Sequence, residues 1–75
     1  MKDIISGYRR IAGMKQSDMA KLFNISRQSY WNKENGRTPF TDKEKIIFKN
    51  EVEKVIPEIS LEKIFFNQKV GKWFL

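Results

Sequence analysis

A chain of 75 residues with no cysteine and no histidine is one small domain without a disulfide framework, the usual zinc ligands or a histidine-dependent catalytic triad. At this length folding buries roughly 60% of the unfolded surface, and short packed helices are the usual way to build such a core. Net charge is +6 and uneven, with eight Lys/Arg against three Asp/Glu in residues 1–40 and seven against six in residues 41–75, so attraction for polyanions concentrates in the first half.

Ile4, Ile5, Tyr8 and Ile11 recur at helical spacing and predict a first helix over residues 3–12. Gly13 suits a left-handed C-terminal cap, and Arg9 and Arg10 fall in the last turn, where cations complement the helix dipole. A second helix starts at Gln16 or Ser17, with Met19, Ala20 and Phe23 as its inner stripe. Asn24 falls where the chain must turn and tolerates positive φ. Ile25 can plug the core, and Ser26 is a good N-cap for a third helix running from Arg27 to about Asn35. Residues 36–41 read as a loop. Thr41 and Glu44 have capping-box spacing, which starts a fourth helix at about Asp42 with Phe48, Val52 and Val55 on its apolar stripe. Pro57 stops that helix, and Ser60 caps a short fifth one with Leu61, Ile64 and Phe65 turned inward. The domain is expected over residues 1–66, followed by a basic and aromatic tail over 67–75.

No nucleophile stands beside a plausible base, so the expectation is no enzyme, no cofactor, no metal and no small-molecule substrate. The longest apolar runs, at 46–48, 64–66 and 73–75, have three residues each. No membrane span and no secretory signal are therefore expected, which points to the cytoplasm.

Residues 16–36 say the most about function. They read as two short helices joined by a tight turn, the second carrying Arg27, Gln28 and Asn32 on an outward face. That is how a helix-turn-helix offers side chains to base edges in DNA. The plain alternative for these three is a solvated polar face. For Lys15, Lys21, Lys33 and Arg37 the alternatives are phosphate contact and general surface charge. Phe23, Phe48 and Phe65 are core residues, while Phe40 is either core edge or loop anchor. Trp73, Phe74 and Leu75 either fold back onto the domain or mark an interface.

Arg9, Gly13, Gln16, Ala20, Ile25, Ser26, Arg27, Gln28, Ser29, Glu34, Asn35 and Gly36, in that order, resemble the Cro/CI-type helix-turn-helix family, also called XRE-type. The likeness covers residues 4–66, and the stretch from Asn32 to Glu44 is similar to small regulators of Gram-positive bacteria and their temperate phages. It implies an all-α, compact five-helix lambda-repressor-like DNA-binding domain. It also implies that Gln16 holds a phosphate through its amide and the helix N-terminus. Arg27, Gln28 and Asn32 then reach base edges, Arg suiting guanine and Gln or Asn suiting adenine. Ser29 and Asn35 match positions on the DNA backbone, where Lys21 and Arg37 are further phosphate candidates by charge. Arg9 and Glu34 match a structural ion pair.

The chain departs from the family at four positions. Asn24 replaces the more usual turn glycine, and Tyr30 fills an inner position that usually holds a β-branched aliphatic. Trp31 and Lys33 stand where many relatives carry a small polar and an apolar residue. Trp31 is expected to face outward, either over sugars and thymine methyls or as a protein anchor, since Trp is enriched at hot spots. Two functions follow. The first is a small phage-type transcriptional regulator, Cro-like, binding double-stranded operator DNA as a homodimer in a lysis/lysogeny switch. The second is an antirepressor or modulator that keeps the fold but pairs with a CI-type repressor, with Tyr30, Trp31, Trp73 and Phe74 as partner contacts.

Overall fold

The computed structural model describes residues 2–66, which form α1 (Lys2–Ile11), α2 (Gln16–Phe23), α3 (Arg27–Glu34), α4 (Asp42–Glu53) and a closing π-helical turn, Glu62–Phe66. Among the described residues there is no strand. The radius of gyration, 11.9 Å, is close to the value of about 11 Å for a compact chain of this length. The predicted residues 67–75, including Trp73 and Phe74, lie outside the described residues.

The first three helices end in the same way. Met14 N donates to Arg9 O and Gly13 N to Arg10 O, at 3.1 and 2.9 Å. Ile25 N donates to Ala20 O and Asn24 N to Lys21 O, at 3.0 and 3.1 Å. Arg37 N donates to Asn32 O and Gly36 N to Lys33 O, at 2.8 and 3.2 Å. Each pair of bonds is a Schellman motif, closed by a left-handed residue that turns the chain and satisfies two terminal carbonyls. Those residues are Gly13, Asn24 and Gly36, with φ of 74°, 61° and 79°. Ile25, the residue after the second of them, packs against the core as such motifs favour. Asn24 is exposed, so its replacement tests backbone conformation alone. Asn24→Gly is expected to leave stability unchanged or slightly raised. Asn24→Ala should lose about 1 kcal/mol, because a Cβ disfavours this conformation and Ala lacks the local hydrogen bonding of Asn. Equal urea midpoints for the Ala and Gly variants would contradict it.

The core comprises Ile5, Met19, Ala20, Phe23, Tyr30, Phe48, Val52, Ile59, Ile64 and Phe65. Phe40, from the loop between α3 and α4, lies among four of these rings. Its centroid is 5.9 Å from Phe23, 6.4 Å from Tyr30, 6.1 Å from Phe48 and 5.2 Å from Phe65. It is both loop anchor and core edge, holding the α3–α4 connection against the domain.

Three expected details differ. Ile11 closes α1 and is 49% exposed, because the helix leaves the core at its last residue. Val55 is 53% exposed, because α4 stops at Glu53 and both Val55 N and Ile56 N turn back onto Val52 O. The chain thus leaves the helix before Pro57, whose ring disfavours helical backbone at the residue preceding it. The fifth element is a π-turn rather than an α-helix, although Ser60 Oγ accepts from Lys63 N at 3.2 Å, and Ile64 and Phe65 are buried, as expected.

Candidate nucleic-acid interface

α3 begins where its sequence says it should. Ser26 Oγ accepts from Ser29 N at 3.0 Å and lies 3.0 Å from Ser29 Oγ. From this cap the helix turns Tyr30 and Glu34 into the core and leaves Arg27, Gln28 and Ser29 exposed. Trp31, Asn32 and Asn35 are half-buried at the margin. On the outer face Gln28 Nε2 donates to Asn32 Oδ1 at 3.3 Å, a one-turn pair that orients both amides. Arg27 has no side-chain partner among the described residues. Of the three expected base-reading residues, Arg27 and Gln28 thus open α3 and Asn32 follows Gln28 one turn on, and Lys21 is exposed on α2.

An ionic frame fixes this helix from beneath. Arg9 Nε donates to Glu34 Oε2 at 2.7 Å, and Arg9 Nη2 to Glu34 Oε1 at 3.2 Å. Gln16 Nε2 donates to Glu34 Oε1 at 2.9 Å, and the Tyr30 hydroxyl to Glu34 Oε2 at 2.8 Å. Arg9 Nη1 also reaches Met14 O at 2.9 Å. One carboxylate thus ties α1, α2 and α3 together, with Arg9 8% and Glu34 4% exposed. Burial alone would raise the Glu34 carboxyl, but hydrogen bonds from Arg9, Gln16 and Tyr30 outweigh it and hold the group below its ordinary range. The hydrogen bond to Glu34 shifts Arg9 upward despite its burial. Burial, then the bond to Glu34, pushes the Tyr30 phenol well up, so it stays a protonated donor.

A second tie was not foreseen. Lys33 Nζ lies 2.9 Å from Glu44 Oε1 and donates to Pro39 O at 3.0 Å, with the Lys33 and Glu44 side chains only 12% and 11% exposed. Glu44 also completes the α4 capping box, accepting from Thr41 N at 2.9 Å while Thr41 Oγ1 accepts from Glu44 N at 3.1 Å. Burial raises the Glu44 carboxyl, yet the Thr41 N–H and Lys33 together bring it below its ordinary value. Lys33 is therefore a strut between α3 and the start of α4, not a surface charge. The signal available in the sequence was a lysine at a position usually apolar, eleven residues before a capping glutamate.

Several expected roles need correction. Tyr30 is 0% exposed and hydrogen-bonded within the frame, so it cannot be a partner contact; the inner position and the Glu34 acceptor decide its side. Gln16 donates one amide N–H inward to Glu34, which pins the side chain at the start of α2. The N-terminus of α2 carries its own carboxylate, because Asp18 Oδ2 accepts from Lys15 N at 2.9 Å, and that negative charge weakens the site for an anion. Asn35 donates its amide to Trp31 O at 2.9 Å and serves as the C-terminal cap of α3. Trp31 is half-buried rather than fully outward, and the exposed Arg37 guanidinium lies 5.3 Å from its ring centroid.

Among the described residues no cluster of His, Cys, Asp or Glu is arranged to hold a metal ion, and no helix is long and apolar enough to cross a membrane. Comparison with protein-family models, curated proteins and solved structures gives no match.

Proposed function

We propose that this domain is a transcriptional regulator that binds double-stranded operator DNA, with α2 and α3 acting as a helix-turn-helix and α3 in the major groove. The observation that carries the reading is the division of α3 into two faces. Tyr30 and Glu34 are locked into the core, while Arg27 and Gln28 stand exposed with Asn32 oriented beside them. Arg and Gln are the side chains that name guanine and adenine bidentately in that groove. The uneven charge of the chain, concentrated before residue 41, supplies the attraction for phosphate that any such binding requires.

A single recognition helix reads only a few base pairs, so useful specificity calls for two half-sites and a homodimer on DNA. The family resemblance extends the reading to a Cro-like regulator of a temperate phage, acting in the lysis/lysogeny choice. The alternative of a modulator pairing with a CI-type repressor is weakened, since Tyr30 lies in the core and Trp31 alone remains for it among the described residues.

The test is selection of duplexes from a random pool, followed by fluorescence anisotropy on the selected site. Arg27→Ala and Gln28→Ala should each lose about 1–3 kcal/mol there and relax preference at one or two base pairs. Both are exposed, so melting temperatures should stay near that of the parent. Unchanged sequence preference in both variants would refute the assignment of α3.

A further inference from the structure

Among the basic side chains of the described residues, several are paired with carboxylates, while Lys21, Arg27 and Arg37 around α3 are not. Arg9 pairs with Glu34 and Lys33 with Glu44, while Lys45, Lys49 and Lys54 each have a carboxylate on α4 within 4.0 Å. Of Lys21, Arg27 and Arg37, it is Arg37 whose position is fixed, and it is fixed at two points. Its backbone N–H is bonded to Asn32 O at 2.8 Å, because the left-handed Gly36 turns the chain back onto the helix. Its guanidinium lies over the Trp31 indole, 5.3 Å from the centroid, inside the ~6 Å reach of a cation–π contact. Arg37 is exposed and has no carboxylate partner, so its N–H groups stay open to fork onto a phosphate. The cation is thus pre-placed at the C-terminal end of α3 without being neutralised.

Resting on the DNA-binding reading above, we propose that Trp31 is a positioning residue. Its indole is a shelf that holds the Arg37 guanidinium against one backbone phosphate flanking the bases read by α3. This accounts for a large ring at a half-buried margin where it has no base to name. Pre-placement lowers the ordering that a free arginine side chain would undergo on binding.

The experiment measures operator affinity of the full chain against salt concentration for the parent, R37A, W31L, W31F and the R37A/W31L double variant. W31L keeps most of the apolar bulk and removes the aromatic face, and W31F keeps a smaller one. Loss of one phosphate contact lowers the log–log salt slope by about 0.9. R37A and W31L should each show that drop, the double variant should be no worse than either single, and W31F should recover part of it. Thermal melts accompany each, and a destabilised W31L transfers the decision to W31F, whose slope must then lie between those of the parent and R37A. A parental slope in W31L or in R37A, or additive losses in the double variant, would overturn the shelf while leaving DNA binding intact. Absence of duplex binding by the parent itself at low salt would overturn the functional reading, and the shelf with it.

Discussion

Replacing Arg9 by alanine is expected to remove about 3–5 kcal/mol of stability, the range for breaking a buried ion pair. In a domain this small that corresponds to a fall of more than about 12 °C in melting temperature. The reason lies in what is left behind. Glu34 is 4% exposed and would keep only Gln16 and Tyr30 as donors, too little for a carboxylate removed from water. The frame also sets the response to pH. Because the folded Glu34 carboxyl sits below its ordinary value, its contribution is fully present above the unfolded value of about 4.3 and is lost as pH falls through the lower folded one. The parent should therefore melt at a steady temperature from neutrality to about pH 5 and lose stability below about pH 4. In Arg9→Ala the Glu34 carboxyl rises, so that acid limb should flatten. A parental melting temperature in Arg9→Ala would show that the pair carries no weight in solution.

Tyr30→Ala should be comparably damaging, at about 3–5 kcal/mol. The ring is wholly buried and packs edge-on against Phe23, with centroids 5.5 Å apart, and beside Phe40 at 6.4 Å. Truncation leaves a cavity that the helix backbone cannot close and removes a donor from Glu34. Tyr30→Phe separates the two effects, since it keeps the ring and deletes only the hydroxyl. Its loss should be smaller, about 1.5–3 kcal/mol, the range for one hydrogen bond to a charged group, and it should raise the pH at which acid unfolding begins. Urea unfolding of both variants gives the comparison. A Tyr30→Ala variant with the parental urea midpoint would place this residue on a surface after all.

What the sequence disclosed was mainly local. Asn24 at a left-handed turn, Ser26 as a cap, and Thr41 with Glu44 as a capping box are each decided within a few residues, and the helix boundaries followed from them. The buried stripe of α2 was equally legible, because Met19, Ala20 and Phe23 repeat at helical spacing. Long-range partnerships were harder. The family resemblance gives Gln16 a phosphate, and nothing in its neighbours announces a bond to a carboxylate 18 residues away. Lys33 reads locally as either phosphate contact or surface charge, and its actual partners, Glu44 and Pro39 O, lie beyond its own helix. Arg9 with Glu34, 25 residues apart, was foreseen through the family resemblance. Periodicity had no way to pair them. Val55 was misplaced because a proline marks where a helix can no longer continue, and α4 turned away sooner.

On α3, neighbouring residues answer to different demands. Tyr30 and Glu34 are held by the interior, while Arg27 and Gln28 touch nothing that the interior needs. On the DNA-binding reading, such a helix can be rewritten at its outward positions without a penalty in foldedness. A lineage carrying it could drift from one target sequence to another through stable intermediates, exchanging its address while the scaffold beneath stays constant.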